Sequence, residues 1–177
     1  RDDGMMMQMP LARAKEKYGD RLRIAPLGAI PKLDDSLRTL HDGTHGAGVN
    51  PNLRVRDQLR CSGSSDIKHA IGELESRPGR SWGLTADVSR AHRRYKHKED
   101  DWGLLACQLD DSEEIWLNLV GTFGIGCASY WWTRLFSIIC RCASSLLLRD
   151  AVFQMLYADD LNWMTSGERG ISAVMVA

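Results

Sequence analysis

Residues 152–164 read VFQMLYADDLNWM, and the acidic pair in this stretch guides the interpretation of the whole chain. Apolar residues dominate on both sides of Tyr157, Ala158, Asp159 and Asp160, which predicts two strands joined by a tight turn. Aspartate favours turns, so an ordinary polar turn explains the motif when it is taken alone. Two adjacent carboxylates at the tip of an apolar hairpin also suit a metal site, provided that further oxygen ligands come from elsewhere.

A third carboxylate follows a second apolar stretch, WGLTADV, at residues 82–88. This stretch predicts a strand that ends on Asp87, and a place in the same sheet as the hairpin would bring Asp87 towards Asp159 and Asp160. Divalent ions such as Mg²⁺ and Mn²⁺ bind carboxylate oxygens. Two such ions about 3.5–4 Å apart stabilise the attacking and the leaving oxygen in phosphoryl transfer. The sequence therefore predicts that these three aspartates hold two Mg²⁺ or Mn²⁺ ions.

The remaining elements predict an α+β fold. Helices are expected at Met9–Tyr18, Asp66–Glu75 and Tyr130–Leu148 and in the basic run Arg90–Lys98, and strands at Gly103–Leu109 and Glu114–Val120. A hairpin is expected from the extended segment Arg23–Lys32 and a strand at Leu37–Leu40, followed by a glycine-rich loop at His41–Asn52. Strands separated by helices, with a hairpin near the end, indicate a largely antiparallel sheet backed by helices.

Composition excludes few classes of function. The chain of 177 residues is 44% apolar and 26% charged, which is ordinary for a globular domain. Basic and acidic residues are equal in number, 23 of each, so the net charge gives no indication of a nucleic-acid partner. The five cysteines form no CxxC pair, which argues against a disulfide framework and favours an intracellular location, in the cytoplasm or the nucleus.

Residues 131–148 are apolar enough to suggest a membrane-spanning helix, but two arginines within them argue against it. Arg134 and Arg141 lie seven residues apart, so they share a helical face. Each would cost about 2.5–3.5 kcal/mol near the centre of a lipid bilayer. A core helix with one basic edge is therefore expected, and no membrane partner. The start at Arg1 and the lack of a terminating signal at Ala177 indicate a fragment of a longer protein.

Four motifs in a fixed order resemble those of reverse transcriptases. Residues 87–92, DVSRAH, resemble the first palm motif, residues 122–130, TFGIGCASY, resemble the second, and YADD at residues 157–160 matches the third. Upstream, Lys32 and Arg38 are similar to the pair that grips the incoming triphosphate in the fingers hairpin. Asp42 and Asn50 fall where the family often has an aspartate and an asparagine. The resemblance covers about residues 23–166, most of the chain.

The resemblance implies an RNA-directed DNA polymerase of a retroelement, which adds dNTPs to the primer 3′ end of an RNA or DNA template-primer. Residues 1–80 would form an N-terminal extension and part of the fingers, and residues 81–177 a palm that stops after the third motif, without a thumb. Without a thumb, weak binding of primer-template is expected, so activity is expected of the full-length parent protein and stays open for this fragment alone. The implied metal ligands and catalytic residues are Asp87, Asp159 and Asp160. The implied nucleotide-binding residues are Lys32, Arg38, Val88, His92, Phe123 and Gly124, and the implied nucleic-acid-binding residues are Arg90, Arg93, Arg94 and Tyr157.

Other interpretations stay open at the level of sequence. An RNA-dependent RNA polymerase shares the palm chemistry but usually carries Gly-Asp-Asp at the hairpin. His92 stands where reverse transcriptases usually have Tyr or Phe to screen the sugar, so the choice between dNTP and NTP is open. A decayed or repurposed copy would bind nucleic acid without catalysis, and the tryptophans and methionines would suit a structural interaction domain. The run Arg90–Lys98 would equally suit a solvated helix face, and Lys32 and Arg38 a charged hairpin surface.

Overall fold

The computed structural model describes residues 4–109, 111, 113–146 and 152–176. The chain divides into two compact units. Unit 1 comprises Arg1–Arg56 and His92–Trp132, and unit 2 comprises Asp57–Ala91 and Thr133–Ala177. The division at residue 80 into fingers and palm follows other boundaries and stays a prediction. The fold is mixed α/β and its strands pair mostly antiparallel, as the sequence predicts.

Helices and strands alternate along the chain. Their order is β1 (Met6–Pro10), α1 (Leu11–Tyr18), β2 (Ile24–Ala25), β3 (Leu27–Pro31), β4 (Leu37–His41), α2 (Ser64–Glu75), β5 (Ser81–Asp87), β6 (Ala106–Cys107), β7 (Glu114–Asn118), α3 (Ala128–Leu146), β8 (Val152–Tyr157), β9 (Asp160–Ser166) and α4 (Gly167–Val176). Within the described part of the chain, no helix combines the length and apolarity that crossing a membrane requires.

Unit 1 is built on a four-stranded sheet in the order β1-β7-β6-β2. β1 and β6 pair antiparallel with β7, while β2 pairs parallel with β6. In β7, Ile115 and Leu117 are fully buried. Both pack in one cluster with Met9 of β1 and with Ala14 and Tyr18 of α1. The apolar face of α1 therefore packs on the four-stranded sheet, against β1 and β7.

The predicted hairpin of unit 1 is formed by β3 and β4, which pair from Leu27 opposite His41 to Pro31 opposite Leu37. The glycine-rich loop follows it, also as predicted. Its conformation is fixed by Asp42, whose carboxylate accepts the backbone N–H groups of Thr44 at 2.8 Å and His45 at 3.1 Å. These hydrogen bonds favour the charged form and lower the pKa of Asp42 to about 2. The loop therefore folds back on the end of the hairpin.

His41, the last residue of β4, is a polar side chain in the interior of unit 1, where it is 2% exposed. Burial lowers the pKa of its imidazole to about 4; Asp42 opposes this shift and Arg93 adds to it. The ring is therefore neutral at neutral pH. Its neighbour in the interior is Asn118, whose Nδ2 lies 3.4 Å from His41 Nδ1.

The depressed pKa of His41 predicts that unit 1 loses stability in mild acid. The unfolded chain binds a proton at this residue near pH 6.5, whereas the folded chain binds it only near pH 4. The contribution of the neutral His41 ring to the stability is therefore fully present above pH 6.5 and is lost as the pH decreases towards 4. Between pH 6.5 and about pH 5 the free energy of unfolding should fall by about 2 kcal/mol.

Urea unfolding followed by the amide signals of unit 1 measures this loss. A His41→Asn variant should lose about 2 kcal/mol less than wild type over the same interval, since it lacks the titrating ring. His97 also has a pKa that burial lowers, and it contributes equally to both proteins. Identical pH dependence in wild type and variant would contradict the prediction.

Unit 2 is built on a three-stranded sheet in the order β5-β9-β8, in which β9 pairs antiparallel with both neighbours. The predicted hairpin of β8 and β9 is confirmed, and it forms two of the three strands. α2 and α4 pack against this sheet, through buried residues such as Leu74 and Val174. Within unit 2, α3 lies beside β8, where the Ser144 hydroxyl donates to the side-chain carbonyl of Gln154.

Several predicted elements differ from the observed ones. The run Arg90–Lys98 is not a helix: Arg90 has a φ of 56°, outside the right-handed helical region, and the run holds one 3₁₀ turn, Ala91–Arg94. The strand expected at Gly103–Leu109 is shortened to β6 by a 3₁₀ segment, Glu99–Leu105. α3 begins two residues earlier than predicted, and Leu147 and Leu148 lie outside the described residues. β1 and α4 were not predicted.

Candidate active site

Backbone pairing brings the three predicted aspartates together at one end of the unit 2 sheet. β5 and β9 pair along their whole length, and the last pair sets Asp87 opposite Asp160. The next residue, Val88, donates its backbone N–H to the carbonyl oxygen of Asp159 at 3.3 Å. Asp87 therefore ends its strand directly beside the acidic pair of the hairpin tip.

The tip itself is a strained two-residue turn. Tyr157 pairs with Asp160, which leaves Ala158 and Asp159 to reverse the chain. Ala158 has a φ of 54°, in the left-handed region that costs a residue with a Cβ about 1–2 kcal/mol. Backbone strain of this kind clusters at functional sites, where the surrounding structure maintains it. The turn is therefore held in place by the strands that it joins.

The carboxylates form an electrostatically unfavourable group. Asp87 and Asp160 are exposed and Asp159 is partly buried. As directly opposed residues of an antiparallel pair, Asp87 and Asp160 project from the same face, where like charges destabilise the pair. Their oxygens are the donors that a hard divalent ion prefers. However, the described residues contain no group of three His, Cys, Asp or Glu side chains placed to hold a metal ion.

In unit 1, several predicted nucleotide-binding residues meet around the ring of Phe123. The Arg38 guanidinium lies 5.1 Å from the centre of this ring, in a cation–π contact. The His92 imidazole meets the ring edge-to-face with centres 4.7 Å apart, and its Nε2 lies 3.2 Å from the Ser129 hydroxyl. Both β4 and the 3₁₀ turn Ala91–Arg94 therefore present side chains to the segment that carries Phe123.

Lys32 and Gly124 occupy turns in unit 1. Lys32 lies in the exposed turn between β3 and β4, where its N–H donates to the carbonyl oxygen of Ser36 at 2.9 Å. Gly124 follows Phe123 with a φ of 97°, a conformation that L-residues with a side chain rarely adopt. The backbone N–H of His41 donates to the Phe123 carbonyl oxygen at 3.0 Å, so β4 holds this turn in place.

Asn50 holds the turn after Phe123 in place within unit 1, a role that the sequence did not reveal. Its Nδ2 donates to the Gly124 carbonyl oxygen at 2.8 Å and to the Thr44 hydroxyl at 2.9 Å. Its Oδ1 accepts the backbone N–H of Gly126 at 2.7 Å. One amide therefore joins the glycine-rich loop to the turn after Phe123, across more than seventy residues of sequence.

Replacing Asn50 by Asp should destabilise unit 1 by about 2–3 kcal/mol. The carboxylate has the same shape, but it would oppose the Gly124 carbonyl oxygen with an oxygen in place of an N–H. Asn52→Asp is a matched control, because Asn52 is exposed and its one described side-chain hydrogen bond goes to the Gly48 carbonyl oxygen at 2.8 Å. Urea unfolding of the two variants measures the difference, and equal midpoints would contradict the role of Asn50.

The residues predicted to bind nucleic acid have different surroundings. Arg93 is partly buried, and its guanidinium donates to the Asn118 side-chain carbonyl at 2.8 Å. Arg90, Arg94 and Tyr157 are exposed. The part played by these four residues in nucleic-acid binding stays a prediction. Asn118, the partner of Arg93, is itself buried, with 3% exposure.

Comparison with known proteins gives a likeness in structure and none in sequence. No protein-family model matches the chain, and no curated protein sequence matches it. The chain is similar to the solved structure of a foamy viral protease-reverse transcriptase in complex with double-stranded DNA, with a TM-score of 0.65 and 13% sequence identity. The match covers 98% of this chain and 26% of that one, so the chain spans about a quarter of its length. At this identity the likeness shows the fold alone, which is reverse transcriptase-like.

Proposed function

We propose that this chain is the catalytic part of an RNA-directed DNA polymerase, a nucleotidyltransferase that adds dNTPs to the 3′ end of a primer. The observation that carries the proposal is the strand register that sets Asp87 opposite Asp160 and bonds Val88 to Asp159. The reverse transcriptase-like fold supports it independently of the motifs. Neither a polar turn nor a solvated hairpin requires a third aspartate at this point of the sheet.

Asp87, Asp159 and Asp160 would hold two divalent ions, Mg²⁺ or Mn²⁺. Such ions, when bound, neutralise charge on the phosphates and on the attacking and leaving oxygens. Mg²⁺ keeps several waters and takes few protein carboxylates, so phosphate oxygens of the substrate complete its ligands. A pair of facing carboxylates is therefore compatible with metal binding, although the described residues form no three-ligand cluster.

The residues of unit 1 would bind the incoming nucleotide. Lys32 and Arg38 supply positive charge for triphosphate oxygens, Lys32 as a point charge and Arg38 as a planar fork. His92, Phe123 and Gly124 would form the surface next to the sugar and base. The exposed cations Arg90 and Arg94 would contact the phosphates of the template-primer, and the double-stranded DNA bound by the foamy viral protein supports a duplex as the partner.

A paramagnetic probe tests the metal site directly. Titrating ¹⁵N-labelled chain with Mn²⁺ should broaden the amide signals of Asp87, Val88 and Asp160 first, because line broadening falls steeply with distance from the ion. Broadening centred elsewhere, or none at millimolar Mn²⁺, would remove the proposed metal site. Primer extension on an RNA template, with dNTPs or NTPs and with Mg²⁺ or a chelator, then identifies the reaction. Preference for NTPs would indicate an RNA polymerase.

A second candidate function is a non-catalytic nucleic-acid-binding module. The specific observation in its favour is that the described residues hold no three-ligand cluster. Such a module would bind duplexes with an affinity that falls steeply with salt, through phosphate contacts alone. Its binding would be unchanged by a chelator, whereas the polymerase should gain affinity for dNTP when Mg²⁺ is present.

A further inference from the structure

One side of β5 (Ser81–Asp87) is an unpaired edge of the unit 2 sheet. β5 stands first in the order β5-β9-β8, so within the described part of the chain it has a neighbouring strand on one side alone. All seven of its residues are exposed. The strand is longer than a typical one, and it pairs with β9 without a bulge. The outer edge of β5 is therefore long, regular and open.

The hydrogen bonds to β9 show which backbone groups lie on the outer edge. The Gly167 N–H donates to the Arg80 carbonyl oxygen at 3.1 Å, and the Val88 N–H donates to the Asp159 carbonyl oxygen at 3.3 Å. Because backbone groups alternate in direction along a strand, the even-numbered residues of β5 face β9. The odd-numbered ones point outwards, namely Ser81, Gly83, Thr85 and Asp87. Across the residues that the structure describes, their backbone N–H and C=O groups have no hydrogen-bond partner.

β5 also lacks the features that usually protect an exposed edge. Folded proteins blunt such edges with lysine, proline, a bulge or an inward-pointing charge. From Ser81 to Ala86 the strand has neither a proline nor a charged residue. Trp82 and Leu84 are 41% and 42% exposed, and they share a face because they lie two residues apart. The outer edge therefore offers both backbone hydrogen bonds and apolar contacts to an extended strand.

We propose that this edge binds the same edge of a second copy of the chain, antiparallel about a twofold axis at Leu84. This register sets Ser81 opposite Asp87 of the second copy, and Gly83 opposite Thr85. It engages all four outward residues of each strand and forms about eight hydrogen bonds, two for each opposed pair. Protein interfaces typically contain about ten. The joined sheet has six strands, which is a common size.

Side chains are complementary in the same register. Leu84 meets Leu84 of the second copy, and Trp82 meets Ala86, so apolar residues pair across the axis. Asp87 faces a serine and not a second carboxylate, which avoids repulsion between like charges. The Asp87 side chain leaves from the face of the sheet, and its backbone alone joins the pairing. The inference therefore does not rest on the proposed function, and the two acidic sites would lie about 20 Å apart.

Hydrogen exchange of the β5 amides in the whole chain tests the proposal, with exchange carried out at about 5 µM and about 500 µM and quenched before NMR detection. The outward amides of Gly83 and Thr85 should exchange at least about tenfold more slowly at the higher concentration. The amides of Leu84 and Ala86 should be slow at both. Light scattering should show the mass rising from 19.9 kDa towards twice that value.

Three results would each overturn the proposal. The first is a mass that stays at 19.9 kDa at the higher concentration. The second is a doubled mass without slower exchange of the outward amides, which would locate the interface elsewhere. The third is slow exchange of these amides in the monomer, which would mean that another part of the same chain covers the edge.

A proline at position 85 removes one outward N–H from each copy. Proline is tolerated at an edge where the N–H faces solvent, so pairing with β9 should remain. Thr85→Pro should weaken the dimer at least about tenfold, whereas Thr85→Val should retain it. The two variants are matched, because both lack the hydroxyl that donates to Asn162 Oδ1 at 3.1 Å. Equal dimer affinities would contradict the proposal.

A disulfide at the twofold axis tests the register without a proline. Cys61, Cys127 and Cys142, which are not buried, are first replaced by serine. Leu84→Cys should then form a disulfide-linked dimer on mild oxidation, because the two α carbons would lie about 4.5 Å apart. Ala86→Cys is the control, since its α carbons would be about 14 Å apart, too far for a disulfide. Equal crosslinking of the two variants, or none with Leu84→Cys, would refute this register.

Discussion

Replacing Asp159 by Asn, or Asp87 by Asn, is expected to lower dNTP incorporation by roughly a thousandfold. The substitution keeps the size of the side chain but exchanges a charged oxygen for an N–H₂ donor, which faces a cation unfavourably. Stabilisation of the transferring phosphate by metal ions is worth several kcal/mol, and each 1.36 kcal/mol changes the rate about tenfold. Single-nucleotide primer extension on an RNA template, at saturating Mg²⁺ and dNTP, measures the loss.

The control for charge is Asp20→Asn, since Asp20 is an exposed aspartate of unit 1 outside the candidate site. This variant should extend primers as wild type does. A second control separates chemistry from folding. Asp87→Asn removes one of two facing like charges, so the ion-free variant should be at least as stable as wild type towards urea. Wild-type incorporation by both Asp159→Asn and Asp87→Asn would remove the proposed mechanism.

The elements that the sequence predicted correctly are those with a complete local signal. The hairpin around Tyr157–Asp160 has two apolar arms and a polar tip, so its strands and its turn are specified within fifteen residues. α2 and α3 likewise carry apolar residues at helical spacing. The end of β5 on Asp87 was an equally local observation, whereas its place beside this hairpin rested on the expectation that the two share a sheet.

The elements that were missed depend on distant partners. β1 reads MMQMP, which has no β-branched residue, and it is a strand because it pairs with β7 more than a hundred residues away. The basic run after Asp87 was wrongly predicted as a helix because its composition suits one. In the structure Arg93 turns inward to Asn118, and Lys96 forms an isolated bridge with Val120. Tertiary contacts of this kind override local propensity.

The candidate site residues likewise include some with a local sequence signal and others that depend on distant contacts. Its charged residues could be proposed from the sequence, because two carboxylates at a hairpin tip and a third at a strand end together suit a metal site. The residues that position the Phe123 turn were not, because Asn50 and His41 act through contacts with Gly124 and Phe123 that no spacing rule predicts. A polar residue can only be given such a role once its partner is known to be adjacent in space.

Gly124→Ala is expected to destabilise unit 1 by roughly 2–5 kcal/mol, through two separate costs. The φ of 97° at this residue is strained for any L-residue with a side chain. In addition, a Cβ at this position would lie 2.8 Å from the His41 carbonyl carbon and closer still to its oxygen. Backbone atoms of β4 cannot move aside as a flexible side chain can. Either β4 or the turn must therefore shift, together with the hydrogen bond between His41 and Phe123.

Gly28→Ala is the matched control, because its added Cβ would meet the Leu40 Cβ at 3.8 Å, an ordinary contact. Urea unfolding followed by unit 1 amide signals should show a large shift of the midpoint for Gly124→Ala and little change for Gly28→Ala. A partly folded Gly124→Ala protein should also lose the ring contact between Arg38 and Phe123, visible as altered shifts of both side chains. Because both residues are proposed to meet the nucleotide, weaker dNTP binding should accompany that loss. A variant with wild-type stability would mean that the turn after Phe123 is not pressed against β4, and the arrangement proposed for nucleotide binding would lose its support.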